Sequence, residues 1–294
     1  MDHKDFLSSL PVETRSGLTA KSDRLGLVHL AGHAGLILGL GALIAMRVPG
    51  WWALLPLQGV ALIFLFTLEH EATHKTPFAN QTLNEWVGRL CGFVILLPFE
   101  WFRYFHLAHH RWTNIAGHDP ELEGGKPENR LAWVWHVSGI PYWHAQMRLL
   151  IRLSLCKGTA SYIPHAALPR IRREALGMVI GYGAVAASLF LSPTAIWVWI
   201  VPILIGQPAL RLYLLAEHGD CPRVANMFEN TRTTFTTKAM RFLAWNMPYH
   251  VEHHVYPSVP FHQLPALHGL IKANLVITAE GYVAFTKDYL ARRS

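Results

Sequence analysis

Four apolar segments alternate with polar stretches along the 294-residue chain. Each is near the ~20 residues that cross the hydrocarbon core of a bilayer as a helix. The segments are residues 25–46, 51–68, 176–191 and 195–215. The short turns "RVPG" and "SPT" join the first segment to the second and the third to the fourth. The pattern therefore predicts four membrane-spanning helices arranged as two hairpins.

The stretches outside these segments are polar or only weakly apolar. Residues 1–24 lack the apolar core and cleavage site of a signal peptide, which predicts a cytosolic tail, and residues 25–294 are expected to form a single membrane domain. Residues 87–99 are apolar but too short to span, so we expect them at the membrane interface or in the protein interior. Residues 130–155 mix Trp, Arg and apolar side chains, which is typical of one or two amphipathic helices on the cytosolic leaflet.

Positive charge is distributed unevenly around the four segments. Four Lys or Arg residues precede the first segment, one lies in the first turn and none lies in the second. The stretch between the hairpins holds twelve, and the region after residue 216 holds eight. Basic residues concentrate on the cytosolic side of membrane proteins, so the tail, the long middle stretch and the C-terminal region are predicted to be cytosolic. In this setting the excess of basic residues marks cytosolic loops, and no nucleic-acid partner is expected.

Composition adds a candidate chemistry. Only 15% of the residues are charged, against about 25% in a typical soluble domain, while histidine reaches 18 residues, nearly as many as the 19 acidic ones. Because histidine is the commonest metal ligand, a charge-poor and histidine-rich chain indicates a buried metal site. The three cysteines are far apart and form no CxxC pair, so they imply neither a disulfide framework nor a zinc knuckle.

Nine histidines lie at or just past the cytosolic ends of the predicted helices. They occur in "HEATH", "HLAHH" and "HVEHH", with one further histidine after the fourth segment. Residues three and four apart share a helix face, so each cluster can direct its imidazoles at one point. Nine nitrogen ligands are too many for one ion and suit two ions of a borderline metal such as iron or zinc. The predicted ligands are His70, His74, His106, His109, His110, His218, His250, His253 and His254.

Carboxylates stand beside these histidines. Ligating imidazoles commonly donate their second N–H to a carboxylate, which fixes the tautomer. The candidates for this role are Glu69, Glu71, Asp119, Glu217 and Glu252, with Asp119 the strongest. Three other histidines are set apart from the ligands: His118 is interpreted as a bystander, and His29 and His33 either line a substrate path or pack at the interface.

The histidine boxes resemble those of the membrane fatty acid desaturase and hydroxylase superfamily. Box order, intervals and hairpin topology match from about residue 50 to residue 265, and "HHRWTN…DPE" and "NMPYHVEHHVYPSVP" are typical of its desaturase branch. The resemblance implies an all-α membrane fold with a cytosolic helical cap that holds the boxes. It also implies two non-haem iron ions (Fe²⁺/Fe³⁺) bound by the nine histidines, O₂ as co-substrate and an external electron donor. The resemblance, not the spacing, selects iron over zinc.

The implied activity is removal of hydrogen from an unactivated C–H bond of a lipid or acyl chain, with introduction of a double bond. Hydroxylation on the same site is the alternative, because both reactions begin with hydrogen abstraction and ligand spacing does not separate them. A metal transporter is a more distant alternative. Transport sites usually lie near the middle of the membrane, whereas these clusters lie at the cytosolic helix ends.

No HPGG-type haem motif, cysteine-rich iron–sulfur pattern or GxGxxG flavin fingerprint occurs in the chain. We therefore expect a separate electron donor, a ferredoxin or a haem cytochrome with its reductase. Five basic side chains could receive an acidic donor or anionic lipid head groups: Arg103, Arg111, Arg170, Arg172 and Arg173. The bacterial inner membrane is favoured over the endoplasmic reticulum as the location, and no sequence feature sets an oligomeric state.

Overall fold

The structure is a computed structural model that describes residues 2–157 and 160–293. The parts of the predicted tail and domain at residues 1, 158, 159 and 294 lie outside the described residues. The helices are α1 (His3–Ser9), α2 (Val12–Leu18), α3 (Asp23–Ala45), α4 (Leu55–Ile63), α5 (Leu65–Thr73), α6 (Gln81–Ile95), α7 (Phe99–Trp112), α8 (Arg130–Val137), α9 (Ile140–Ser154), α10 (Leu168–Ser188), α11 (Val201–His218), α12 (Met227–Asn230), α13 (Lys238–Leu243), α14 (His250–Val255), α15 (Leu264–Ile271) and α16 (Tyr282–Ala291). One short parallel strand pair joins β1 (Thr233–Thr234) to β2 (Thr278–Ala279).

Three helical segments in the described chain are long and apolar enough to cross a membrane. They are Val12–Ala45, Trp51–Thr73 and Ile196–His218. Helices α6 and α7 meet at 99° and would supply a fourth span if this bent pair crossed as a unit. At 1.5 Å per residue, a 23-residue segment is about 34 Å long, which exceeds the hydrocarbon thickness of about 30 Å. The described chain is therefore mostly helical, with three to four candidate membrane spans.

The third predicted span is not confirmed by the structure. Residues 176–191 fall mainly in α10, which is not one of the three long apolar segments. The first turns of α10 carry four charged side chains, Arg170, Arg172, Arg173 and Glu174. Only residues 175–188 of the helix are left as an uncharged stretch, fewer than the ~20 residues that a span requires. The other three predicted spans overlap the observed segments, although the first segment begins at Val12, 13 residues before the predicted start.

Helices α4 and α11 pack in direct backbone contact at two glycines. A Cβ atom on Gly206 would lie 2.3 Å from the carbonyl oxygen of Gly59, and one on Gly59 would lie 2.2 Å from that of Pro202. Small residues at such crossings let membrane helices approach closely. His70 and His218 follow the two glycines by 11 and 12 residues, so both lie about 17 Å further along their helices. The contact therefore sets two predicted ligands at the same depth.

The N-terminal tail is folded onto the domain. Helices α1 and α2 bury Phe6 and Leu18 in the main hydrophobic core. The backbone N–H of His3 donates to the side-chain oxygen of Asn226 at 3.3 Å. Helix α1 also contacts α14, which carries the third histidine box. The predicted tail is thus part of the packing around that box.

Residues 130–155 form two helices, α8 and α9, joined by a tight turn. The turn depends on Gly139, which has a positive φ of 74°. A Cβ atom at this glycine would lie 2.4 Å from Cγ of Gln207 in α11. Only glycine combines this backbone conformation with so close an approach. The start of α9 is therefore held against α11.

Candidate metal centre

The ends of four helices bring all nine predicted ligands into one cluster. Helix α5 and its C-terminal cap supply His70 and His74, and α11 ends at His218. Helix α7 supplies His106, His109 and His110, and α14 supplies His250, His253 and His254. Seven of the nine side chains are buried, and those of His74 and His110 are half-buried. As the spacing of the boxes predicts, the histidines of each box share one helix face and direct their imidazoles towards the cluster.

The imidazoles form two groups. In the first group, one nitrogen from each ring lies within 4.8 Å of the corresponding nitrogen of every other ring. Its members are His70, His74, His106, His110 and His253. The second group meets the same condition with His109, His218 and His254. His250 joins it, because its Nε2 lies 3.1 Å from Nε2 of His218.

Within the groups, Nε2 atoms face one another at the spacing of ligands on a shared ion. The Nε2–Nε2 distances are 2.8 Å for His74 and His106, 3.1 Å for His110 and His253, and 3.2 Å for His109 and His218. Two cis ligands on one ion, each with a bond of about 2.1 Å, are separated by roughly 3.0 Å in octahedral and 3.4 Å in tetrahedral geometry. Two neutral imidazoles that face each other this way share at most one hydrogen. The donor set therefore fits two ions with all-nitrogen ligation.

Burial keeps the third box in its ligating form. It lowers the pKa of His250, His253 and His254 well below the usual 6.5. Neighbouring histidines lower these pKa values further. The rings are therefore neutral near pH 7, which is the state in which imidazole binds a metal.

Asp119 orients the imidazole of His109. The Nδ1 atom of His109 lies 3.0 and 3.1 Å from the two carboxylate oxygens, and it donates its proton to them. The backbone N–H groups of Asn114 and Glu121 also donate to Asp119. Burial raises the pKa of Asp119, but the hydrogen bonds outweigh it and hold the pKa below 3.8. The carboxylate is therefore ionised, and Nε2 of His109 carries the free lone pair.

Two residues that the sequence analysis missed perform the same task. Nδ1 of His254 lies 3.1 Å from Oγ1 of Thr113, whose own proton is donated to the carbonyl of His109 at 2.8 Å. Nδ1 of His218 lies 3.2 Å from the carbonyl oxygen of Asn230. Thr113 follows His109 by four residues, so its helical spacing was a usable signal. Asn230 lies 12 residues after His218 and contributes its backbone carbonyl, for which the sequence carries no such signal.

Two of the other candidate carboxylates have an oxygen near Nδ1 of a clustered imidazole, whereas a third has no hydrogen-bond partner among the described residues. Glu217 has an oxygen 3.3 Å from Nδ1 of His250, and Glu71 has one 3.8 Å from Nδ1 of His253. Glu69 is fully buried, and neither of its oxygens has a hydrogen-bond partner among the described residues.

Glu252 departs from the prediction. Its oxygens bond to Thr233 and to His268, each at 2.5 Å, and not to any of the nine clustered imidazoles. Thr233 in turn accepts from the backbone N–H of Val251 at 3.3 Å. Glu252 therefore braces the start of α14 and does not orient a clustered ring. The reason is its position on the helix, which turns its side chain towards β1 and α15.

The remaining histidines in question lie outside the cluster. His118 is exposed and packs its ring against Trp112. His29 bonds through Nε2 to the carbonyl of Phe242 at 2.8 Å. His33 accepts from the indole N–H of Trp245 through Nδ1 at 3.2 Å and donates through Nε2 to the carbonyl of Ala61 at 2.8 Å. These contacts assign His29 and His33 to packing between α3 and its neighbours.

Two of the arginines considered for a donor or for lipid head groups are committed elsewhere. Arg103 is 6% exposed and pairs with Glu85 at 2.5 Å. Arg170 pairs at 2.7 Å with Glu100, which is fully buried and also pairs with Arg89. The sequence could not show this, because the network joins α6, α7 and α10. Arg111, Arg172 and Arg173 are exposed.

A cavity of about 680 Å³ adjoins the histidine cluster. His70, His106, His109 and His250 form part of its wall. Its volume lies in the range of small-molecule sites, ~300–1,000 Å³. The apolar side of the cavity is aromatic, with Phe66, Trp101, Phe102, Phe105 and Tyr162. The arrangement can therefore bring an apolar molecule against the imidazole groups.

Asp119→Asn is expected to weaken metal binding without disturbing the fold. Asparagine can still accept from His109 but loses the negative charge that raises the basicity of the imidazole. Changes of this kind cost about 10- to 100-fold in metal affinity. The measurement is a titration of iron affinity against a competing chelator. The control is Asp288→Asn at an exposed position on α16, which should bind iron like the unaltered protein; equal affinity for both variants would contradict the assignment.

The fold and the cluster together define a class: an integral membrane protein with a histidine-rich centre, suited to two metal ions, at the ends of its spanning helices. Residues 49–286 match the family model described as fatty acid desaturase. This match covers most of the chain, so the protein belongs to the fatty acid desaturase family. The membership confirms the resemblance drawn from the histidine boxes and the predicted enzyme class, an oxidoreductase that acts on lipids.

Individual relatives are distant. The chain is 23% identical to the omega-6 fatty acid desaturase, chloroplastic, of Glycine max, over 92% of this chain and 67% of the relative. It is 23% identical to the sn-1 oleoyl-lipid 12-desaturase of Arthrospira platensis, over 78% and 71%. It is 28% identical to the sphingolipid delta(4)-desaturase/C4-monooxygenase DES2 of Mus musculus, over 67% and 58%. The chain thus spans about two thirds or less of the plant and mouse relatives.

Proposed function

We propose that this protein is an O₂-dependent membrane lipid oxidase that introduces a double bond into an acyl chain. The observation that carries the proposal is the pair of imidazole groups beside an aromatic-lined cavity. Two of its relatives are named as an omega-6 fatty acid desaturase and an oleoyl-lipid 12-desaturase. These names support a lipid substrate. A metal transporter is disfavoured, because the cluster lies at helix ends and not midway along the spans.

The nine histidines are proposed as the ligands of two non-haem iron ions. His70, His74, His106, His110 and His253 would hold one ion, and His109, His218, His250 and His254 would hold the other. Bound iron would supply the reductive activation of O₂ that breaking an unactivated C–H bond requires, which no side-chain acid or base can provide. No carboxylate lies among the proposed ligands, in contrast to the di-iron sites of soluble helical bundles.

The chain's own residues contribute orientation and shape. Asp119, Thr113 and Asn230 hold the Nδ1 protons of His109, His254 and His218, so that each Nε2 lone pair faces the centre of its group. The aromatic wall of the cavity provides a surface on which an acyl chain packs without water. Because three of the wall rings extend from His106 back along α7, the acyl chain would lie beside this helix, with its reacting carbon near the first imidazole group.

Hydroxylation on the same site is the second candidate. It is favoured by one observation, the mouse relative whose name combines a desaturase with a C4-monooxygenase. The two outcomes diverge after the first hydrogen is removed: loss of a second hydrogen gives the double bond, and transfer of OH gives the alcohol.

The proposal also covers the side of the membrane, the type of membrane and the electron donor. We place both termini and the histidine cluster on the cytosolic side, on the basis of the distribution of Lys and Arg. A bacterial inner membrane is the proposed location, and the cyanobacterial relative is consistent with it. Electrons would come from a separate ferredoxin or haem cytochrome. The exposed Arg111, Arg172 and Arg173 are available to meet it.

Expression in a host of known lipid composition tests the reaction. We expect a new lipid species two daltons lighter than its precursor, formed only when O₂ is present. Mass spectrometry of total lipid measures this change directly. A species sixteen daltons heavier would assign the hydroxylase instead. Failure to form either species in cells that contain iron-loaded, membrane-inserted protein would contradict both.

A further inference from the structure

Arg211 is a charged side chain that lines the cavity and has neither a hydrogen bond nor an ion pair with any described residue. It projects from α11 into the cavity wall. Its Nε atom is buried and makes no hydrogen bond to any described residue. No carboxylate of the described chain lies within the 4.0 Å that defines an ion pair. Arg211 is half-buried, and withdrawing a guanidinium from water without a counter-ion is costly, so its position in a cavity points to a ligand.

Unpartnered polar atoms of α9 line the cavity beside Arg211. The ring of Tyr142 lies 4.4 Å from Cζ of Arg211, and its hydroxyl oxygen is buried and has no partner among the described residues. Gln146 lies four residues later on the same helix, and its Oε1 is also unpartnered. Burial raises the pKa of Tyr142, so its hydroxyl stays a neutral donor. The packing of Gly139 against Gln207 fixes this part of α9 beside α11.

The position of Arg211 relates it to the metal centre. It precedes His218 by seven residues, which is two helical turns or about 10 Å along α11. Leu214 and Leu215 lie between them on the cavity side. A molecule that reaches from the guanidinium to the imidazoles therefore crosses an apolar surface. This is the shape required by an amphiphile with one charged end.

We propose that Arg211, assisted by the hydroxyl of Tyr142, is a binding subsite for an anionic group of the substrate, a carboxylate or a phosphate. The planar guanidinium matches the paired oxygens of either group. Charge-assisted bonds of this kind would anchor one end of the substrate and fix which carbon lies beside the imidazoles. The proposal rests on the proposed function and extends it from an acyl chain to an acidic amphiphile.

Equilibrium binding to the detergent-purified protein tests the subsite. The probes are oleate, oleyl phosphate and uncharged methyl oleate, titrated without O₂ or reductant. Of the two charged probes, we expect the one that binds more tightly to exceed the affinity of the ester at least about tenfold, which corresponds to about 1.4 kcal/mol. Arg211→Gln should reduce this preference to about twofold, while Arg211→Lys should keep part of it. The control Arg223→Gln removes an exposed charge away from the cavity and should leave the preference unchanged.

Each outcome decides one question. A stronger preference for oleate assigns a carboxylate, and a stronger preference for oleyl phosphate assigns a phosphate. Equal binding of all three probes by the unaltered protein, or an undiminished preference in Arg211→Gln, would overturn the subsite. If Arg211→Gln does not fold, Tyr142→Phe provides the test and should lower the preference several-fold. The binding titration needs no turnover, so it is independent of the expression experiment. If the protein prefers the charged probes but forms no oxidised lipid in the host, the oxidase is refuted and the subsite is retained.

Discussion

His109→Ala is expected to abolish lipid oxidation and to halve the iron content of the protein. His109 faces His218, and Asp119 orients its ring. Its loss removes a proposed ligand and leaves Asp119 without an imidazole to orient. Loss of a partner of a ligand costs about 10- to 100-fold, and loss of the ligand itself should exceed that range. The measurements are product formation in the host membrane and iron per purified chain.

The matched control for this prediction is His118→Ala. His118 is an exposed histidine from the same stretch of sequence, nine residues further on, and it only packs against Trp112. This variant should keep most of the activity and all of the iron. Both variants should insert into the membrane equally well. Equal loss of activity in both would show that the division of this stretch into ligands and a bystander is wrong.

Gly206→Val should prevent stable packing of the two helices that carry the centre. Even the Cβ atom of valine would lie 2.3 Å from the carbonyl oxygen of Gly59. Because the obstacle is backbone, the helices must separate. Overpacking of a well-packed interior costs about 1–3 kcal/mol, and we expect the upper end of that range or more. Separation would also shift His218 relative to His70, so iron should be lost as well.

Gly39→Val is the control for this substitution. A Cβ atom on Gly39 meets nothing within 4 Å, and its helix α3 is largely exposed to the surroundings. We expect its thermal unfolding temperature in detergent to match that of the unaltered protein, whereas Gly206→Val should unfold at a clearly lower temperature or fail to accumulate. Equal stability of the two variants would contradict the close packing of α4 against α11.

The histidine cluster could be anticipated from sequence because its geometry is local. Spacings of three and four residues place the rings of each box on one helix face, and the position of every box at a predicted helix end brings the boxes to one depth. The partners of the rings were less accessible. Asp119 could be proposed because a carboxylate is a recognisable partner of a ligating imidazole. Asn230 lies at a similar separation, 12 residues after His218, but it contributes its backbone carbonyl, which no residue type in the sequence indicates.

The errors of the sequence interpretation also have physical reasons. Glu252 stands between two histidines of its box, but neighbours in a helix point in different directions, and its carboxylate turns to Thr233 and His268. The structure does not confirm residues 176–191 as a span, because charged side chains stand just before them in α10. Arg103 and Arg170 appear free in sequence, but they pair with Glu85 and Glu100 through contacts between different helices. For Glu252 and the two arginines, a side-chain direction or a contact with another helix decided the outcome.

The proposed activity requires that the nine histidines hold two iron ions. Metal analysis and Mössbauer spectroscopy of protein purified from iron-supplemented cells test it most directly. We expect two iron ions per chain with the spectrum of a magnetically coupled pair. A single zinc ion per chain, or iron without coupling, would contradict the account.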